Sequence, residues 1–160
     1  MSEAYLLIGG NMGDRRSNLK KAMLSIELSC GKLIKSSAIY ETAAWGKNDQ
    51  PDFLNQVLLI ETTLTPRHLM KSILKIELSL GRVRQEKNGA RTIDIDILYF
   101  DDLIIVEPGL NIPHPRINCR KFVLEPLSEI ASTFTDPISK KTVNSLLQEC
   151  TDTLSVKKYV

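Results

Sequence analysis

Two amphipathic segments, each opened by a capping residue and closed by a glycine, divide this sequence into pieces whose order leaves few folds open. The first follows Asp14, carries Leu19, Met23 and Ile26 on one stripe, and stops at Gly31. The second follows Thr65-Pro66, carries Leu69, Ile73, Ile76 and Leu80, and stops at Gly81. A capping oxygen satisfies an amide that the first helical turn leaves open, and proline at the first position needs no donor. Apolar residues recurring with the helical period then define one buried face. The segments between and around these helices have strand character. Tyr5–Ile8 is an apolar run that enters a turn at Gly9-Gly10-Asn11. Residues 32–41 are rich in β-branched and aromatic side chains and predict one strand, followed by a loop over 43–52. Phe53–Thr63, with Val57 and Ile60, predicts a long strand, and Ile93–Phe100 another, ending in a turn at Asp101-Asp102. The order β-α-β-β-α-β predicts an α+β protein with a ferredoxin-like core, its helices on one face of the sheet. A proline-rich connection through Pro108, Pro113 and Pro115 leads to a C-terminal helical extension. One domain over residues 1–160 accounts for the whole chain.

Composition narrows the function classes. A 160-residue chain with 42% hydrophobic residues can bury a full core without cross-links. The three cysteines, Cys30, Cys119 and Cys150, form no CxxC pair and predict neither a disulfide framework nor a zinc site; they are expected to be small buried hydrophobes. A net charge of +2 argues against a nucleic-acid coat while leaving room for a locally basic pocket. The N-terminus lacks the basic and apolar regions of a signal peptide, and no apolar run is long enough to span a bilayer. The expectation is a cytoplasmic protein, without nucleic-acid or membrane partners, acting as a monomer on small molecules.

The stretch Ile93-Asp94-Ile95-Asp96-Ile97-Leu98 carries the most chemistry. Strand side chains alternate between faces, so Asp94 and Asp96 share one face and the isoleucines the other. Two strand steps set their α-carbons about 7 Å apart, and the carboxylates can lean together around divalent ions. An acidic face can simply meet water. Here the strand is otherwise apolar, which predicts a central position, where two like charges need a counterion such as Mg²⁺. Arg82, Arg84 and Arg91 bracket a polar segment just ahead of these aspartates. Each could form an ordinary ion pair, yet together beside a metal candidate they suit a triphosphate, which fixed guanidinium donors neutralise. The segment between Arg82 and Arg91 could close over bound phosphates. Pro113-His114-Pro115-Arg116, followed by Arg120, presents basic groups from a stiff loop, although a lone loop histidine is commonly a surface residue. His68 takes that plainer reading. Trp45, Phe53, Asn55 and Phe122 could clamp and hydrogen-bond a flat heterocycle, while Phe53 and Phe122 taken singly suit a core. Gly9-Gly10-Asn11-Met12-Gly13 matches no phosphate-loop pattern.

The run Lys87–Leu98 resembles the signature of the 6-hydroxymethyl-7,8-dihydropterin pyrophosphokinases. Four further motifs follow in the family's order: Gly9-Gly10-Asn11, Asp49–Asn55, Ile76-Glu77 with Gly81-Arg82-Val83-Arg84, and Pro113–Arg116 with Arg120 and Phe122. The resemblance implies that ATP gives its pyrophosphoryl group to a pterin hydroxymethyl, releasing AMP, in folate biosynthesis. It implies that Asp94 and Asp96 hold two Mg²⁺ ions, and that Arg82 and Arg91 steady the transferring group. Glu77, Arg84, Ile97, His114, Arg116 and Arg120 would line the ATP site. Thr42, Ala43, Trp45, Phe53, Asn55 and Phe122 would line the pterin site. This chain has Ala43-Ala44 where the family often has two prolines, lacks a tryptophan between Gln85 and Ala90, and has Leu74 where some members carry a polar residue. Two other classes remain open on the residues alone: a different two-metal phosphoryl or nucleotidyl transferase, and a non-catalytic ferredoxin-like binding module. The second would need neither paired aspartates nor a row of arginines.

Overall fold

A computed structural model describes residues 1–43, 51–81 and 92–159. Its β1 (Ser2–Gly10) leads into α1 (Arg15–Ser29), then β2 (Lys32–Ser36), β3 (Tyr40–Thr42), β4 (Phe53–Thr62), α2 (Pro66–Ser79) and β5 (Asp94–Phe100). The strands form an antiparallel sheet in the order β5-β1-β4-β3, with β2 also pairing with β4. With β2 and β3 taken together as the second strand, this is the ferredoxin-like arrangement anticipated from the segment order. Both helices start as their sequences require. Asp14 accepts from the Ser17 amide, and the Thr65 hydroxyl accepts from the His68 amide, with Pro66 opening α2.

The sequence expectations need several corrections. The strand expected over 32–41 is two strands, because Ser37 replaces a ladder pairing: its amide donates to the Val57 carbonyl while its hydroxyl accepts from the Val57 amide. Gly9 and Gly10 lie within β1 rather than in a turn. Gly31 is retained for space, since a Cβ there would meet the Glu61 carbonyl oxygen at 2.1 Å. The proline-rich connection contains a hairpin, β6 (Ile105–Glu107) with β7 (Leu110–Ile112). Cys119 is exposed and Cys150 half-buried, so only Cys30 meets the expectation of a buried thiol.

The largest correction concerns β5, expected to be central and found at the sheet's edge. It tolerates that position because its outer edge is covered. The buried Glu77 carboxylate accepts the Ile95 amide at 2.8 Å, and the Leu98 carbonyl accepts the His114 amide at 3.1 Å. Edge backbone groups that would otherwise be orphaned or open to strand addition are thereby satisfied.

The sheet is covered on both faces, not one. Leu6, Ile8, Leu58, Ile60, Ile95 and Ile97 pack with α1 and α2 residues such as Ile26 and Ile73. Tyr5, Leu7, Val57, Leu59, Leu98 and Tyr99 pack against α3 (Lys121–Ala131) and α4 (Val143–Glu149). Strict alternation would send Leu98 and Tyr99 to opposite faces. A register shift opposite Tyr5 and Leu6 leaves Leu98 unpaired and lets both join this second core. A last strand, β8 (Val156–Lys158), adds to the edge of β3. No helix among the described residues is long and apolar enough to cross a membrane.

Candidate functional site

The second core does not extend over the whole face. Paired residues in neighbouring strands share a face, so the register tells what each row presents. One row places Tyr5 between Leu59 and Tyr99, all apolar and buried under α3 and α4. The next places Leu7 between Val57 and Asp96. The last places Gly9 between Asn55 and Asp94. Large apolar side chains thus give way to a glycine, an amide and two carboxylates, and the sheet floor opens into a cleft.

The two ends of this cleft differ in chemistry. Asp94 and Asp96, both half-buried, line one end, as their alternation predicts. Asn55, Phe53, Thr42 and Ala43 line the other. Thr42 pairs with Phe53 across β3 and β4, which puts the hydroxyl-bearing and aromatic residues on the cleft face. Arg120 and Phe122, at the start of α3, close it from above. The Arg120 guanidinium lies 5.6 Å from the centre of the Phe122 ring, in reach of a cation–π contact. Phe53 and Phe122 are half-buried walls of the cleft, and Phe122 also packs against the second core.

His114 lies within the field of Asp94, and Arg116, two residues on, is exposed. The His114 Nδ1 accepts from the Arg116 amide at 3.2 Å, which leaves Nε2 as the protonated nitrogen of the neutral ring. Burial pushes the His114 pKa down, Arg120 and Arg116 push it further, and Asp94 opposes them. The histidine is thus half-buried within the field of Asp94 and both arginines, and is not the surface residue a lone loop histidine suggests.

Four of the expected site residues that are described, Glu77, Ile97, His114 and Arg116, do not line the cleft wall. Glu77 is buried beneath β5 on the Ile95 amide, and the Ile97 side chain lies in the core shared with α1 and α2. Ile97 could meet a ligand only through its main chain. Trp45, Arg82, Arg84 and Arg91, and the segment anticipated to close over phosphates, fall outside the described residues. Sequence reasoning missed Leu7 and Gly9 as cleft residues. The signal was the glycine itself: a Cβ at Gly9 would meet Asn55 Oδ1 at 2.2 Å. It also missed the supports behind the wall. Asn11 donates to the Pro51 carbonyl at 3.0 Å, and Arg15 donates to the Asp52 carbonyl at 2.8 Å and pairs with Glu41. Both hold the chain just before Phe53.

Among the described residues no group of three or more His, Cys, Asp or Glu could hold a metal ion. The donor set at the cleft is two carboxylates on one strand face. That set does not build a closed protein cage, but it fits Mg²⁺, which takes one or two carboxylates and completes its shell with water and substrate phosphates.

The profile of the 7,8-dihydro-6-hydroxymethylpterin-pyrophosphokinase family matches residues 5–132. The chain is 40% identical over 151 residues to the 2-amino-4-hydroxy-6-hydroxymethyldihydropteridine pyrophosphokinase of Aquifex aeolicus, covering 94% of each. It is 37% identical over 158 residues to the Haemophilus influenzae protein of the same name, covering 98% of each. It is 38% identical over 147 residues to the one from Synechocystis, covering 91% of this chain and 75% of the relative. Among solved structures, the HPPK-DHPS of Plasmodium falciparum superposes with a TM-score of 0.74 at 18% identity, over 93% of this chain. This chain spans 43% of that longer protein, and the likeness there is one of fold. On the profile match and the identities over nearly full length, the chain belongs to the 7,8-dihydro-6-hydroxymethylpterin-pyrophosphokinase family.

Proposed function

We infer that this protein transfers the pyrophosphoryl group of ATP to 6-hydroxymethyl-7,8-dihydropterin, giving AMP and the pterin diphosphate. Family membership supports the reaction, and one observation supports its location. Asp94, Gly9 and Asn55 lie side by side across three strands on the floor of a single cleft. Metal-type ligands stand at one end and heterocycle-type ligands at the other, with only Gly9 between Asp94 and Asn55. An alcohol carried by the heterocycle would project toward the aspartates.

In this reading Phe53 and Phe122 stack on the pterin, and Asn55 hydrogen-bonds its edge. Thr42 and Ala43, with Trp45 from the neighbouring segment, complete that wall. Asp94 and Asp96 would hold two Mg²⁺ ions, whose chemistry is to neutralise the triphosphate and lower the cost of charge on the leaving AMP. His114, Arg116 and Arg120 bind the nucleotide on the aspartate side. Glu77 and Ile97 contribute from beneath β5, and Arg84 from beyond Gly81. The hydroxymethyl oxygen attacks the β-phosphorus and releases its proton to solvent, the bond from the β-phosphorus to the bridging oxygen breaks, and AMP leaves with that oxygen. Little covalent help is needed, since such transfers depend on alignment and on charge stabilisation. Arg82 and Arg91 are proposed to supply part of that stabilisation.

The test is AMP release from ATP and the pterin alcohol, with and without Mg²⁺. The wild type should turn over only with the metal. Asp94→Ala and Asp96→Ala should each lower kcat by several orders of magnitude with the fold intact by circular dichroism. Near-normal AMP formation by either variant would reject the metal assignment. Arg91→Ala should lower kcat far more than pterin affinity; equal losses in both would make it a general anchor.

A further inference from the structure

The family match ends at residue 132, yet the last described segment reaches back to both walls of the cleft. Helix α3 carries Arg120 and Phe122 at its start, and its own N-cap residue, Arg120, makes no capping bond through its side chain. The need is met from 31 residues away: the Asp152 carboxylate accepts the Lys121 amide at 3.0 Å. The same carboxylate accepts the Leu154 amide through its other oxygen, which fixes its own turn. An acceptor at this place satisfies a donor that the helix leaves open, and its negative charge suits the helix N-terminus.

Three residues later the segment takes hold of the opposite wall. The Thr42 hydroxyl donates to the Ser155 carbonyl at 2.9 Å. Val156, Lys157 and Lys158 then pair with Thr42, Glu41 and Tyr40. The Tyr159 amide donates to the Ile39 carbonyl, and its ring lies under the Arg15 guanidinium at 5.5 Å. One short stretch therefore ties the residue beside Phe122 to the residue facing Phe53.

We propose that Asp152–Lys158 is a positioning element for the pterin end of the cleft, with Asp152 its key residue, setting the distance between the Thr42 wall and the Phe122 wall. It touches no substrate. It acts by holding two walls that belong to distant parts of the chain, and a heterocycle sandwiched between rings is sensitive to their separation. The proposal rests on the functional reading above.

The experiment compares Asp152→Ala with Asp152→Asn in the full chain. The asparagine side chain keeps one acceptor oxygen for the Lys121 amide and gives up the bond to the Leu154 amide, whereas alanine loses both. For Asp152→Ala the KM for the pterin alcohol should rise about five- to tenfold with kcat within twofold of wild type. Hydrogen exchange at Lys121–Val123 should quicken in the same variant without substrate. Asp152→Asn should fall between Asp152→Ala and wild type in both measurements. An unchanged pterin KM in Asp152→Ala would overturn the proposal, as would an asparagine variant no better than alanine. A fall in kcat alone, the mark of a smaller folded fraction, would overturn it as well. A wild type that releases no AMP would instead reject the functional reading, and the exchange measurement would still report on the anchor.

Discussion

At the scale of single residues, the cleft depends on what is missing. Gly9 sits in an ordinary strand position, so its role is not backbone freedom but room. Alanine there would put a methyl 2.2 Å from Asn55 Oδ1 and 3.0 Å from the Leu54 carbonyl oxygen. The Asn55 amide must then swing away, because the sheet backbone cannot. Overpacking of this kind costs about 1–3 kcal/mol. If it falls on the bound state, pterin affinity in Gly9→Ala drops by about tenfold for each 1.4 kcal/mol. Fluorescence titration with the pterin should show that loss while the affinity for an ATP analogue stays within about threefold. His114 gives a second prediction at this scale. Its folded-state pKa lies below the ordinary value, because burial and the two arginines penalise the charged ring. The sign follows: neutral His114 contributes its full stability above the ordinary histidine range, and that stability is lost as pH falls below it. Protonation also removes the Nδ1 acceptor from the Arg116 amide. An NMR titration of the substrate-free protein should find the His114 midpoint below about 6.5. His114→Gln should flatten the acid limb of the stability profile.

At the scale of elements, β5 shows both what the sequence disclosed and what it withheld. Alternation in Ile93–Ile97 is a local property, so the shared face of Asp94 and Asp96 could be read directly. Which strand lies beside β5 is set by distant parts of the chain, and an apolar strand looks central whether its outer edge meets a strand or a carboxylate. Glu77 supplies that carboxylate, and nothing near Glu77 in sequence marks it as an edge cover. The break between β2 and β3 was hidden for a similar reason, since Ser37 finds its partner in Val57. β8 is only three residues long and gains its meaning from β3. That Phe53 and Asn55 share one face, as Asp94 and Asp96 do, was legible because strand alternation is local. Leu7 and Gly9 were not, since a residue becomes a cleft floor only through its neighbours across the sheet. The edge cover is testable. Glu77→Ala leaves the buried Ile95 amide without this acceptor, at a cost of about 1–3 kcal/mol. Urea unfolding should show a lower midpoint with an unchanged slope. Glu77→Gln, which keeps a side-chain carbonyl, should recover part of the loss.

At the scale of the whole molecule, the cleft exists because the second helical layer is incomplete. Helices α3 and α4 cover Tyr5, Leu59 and Tyr99 but stop short of Gly9, Asn55 and Asp94. The site is the uncovered end of a face that is otherwise core, so the layer that closes one end must hold its place for the other end to stay open. Its mooring is Tyr99, fully buried, whose hydroxyl donates to the buried Asp136 carboxylate at 2.7 Å. Asp136 also accepts the Ile138 and Ser139 amides, which shapes the turn between α3 and α4. The phenol is kept neutral, since burial and the carboxylate both raise its pKa. The ring packs against Phe134 at 4.7 Å and edge-on to Tyr5 at 6.4 Å, so Tyr99→Phe keeps the packing and removes only the donor. The variant leaves one carboxylate oxygen without its buried partner and should lose about 1–3 kcal/mol. For a chain of this length that lowers Tm by roughly 3 °C per kcal/mol. Turnover and both substrate KM values, measured well below the new midpoint, should remain within twofold of wild type, because the hydroxyl lies at the covered end. A large rise in the pterin KM would mean instead that the mooring at one end governs the geometry of the other.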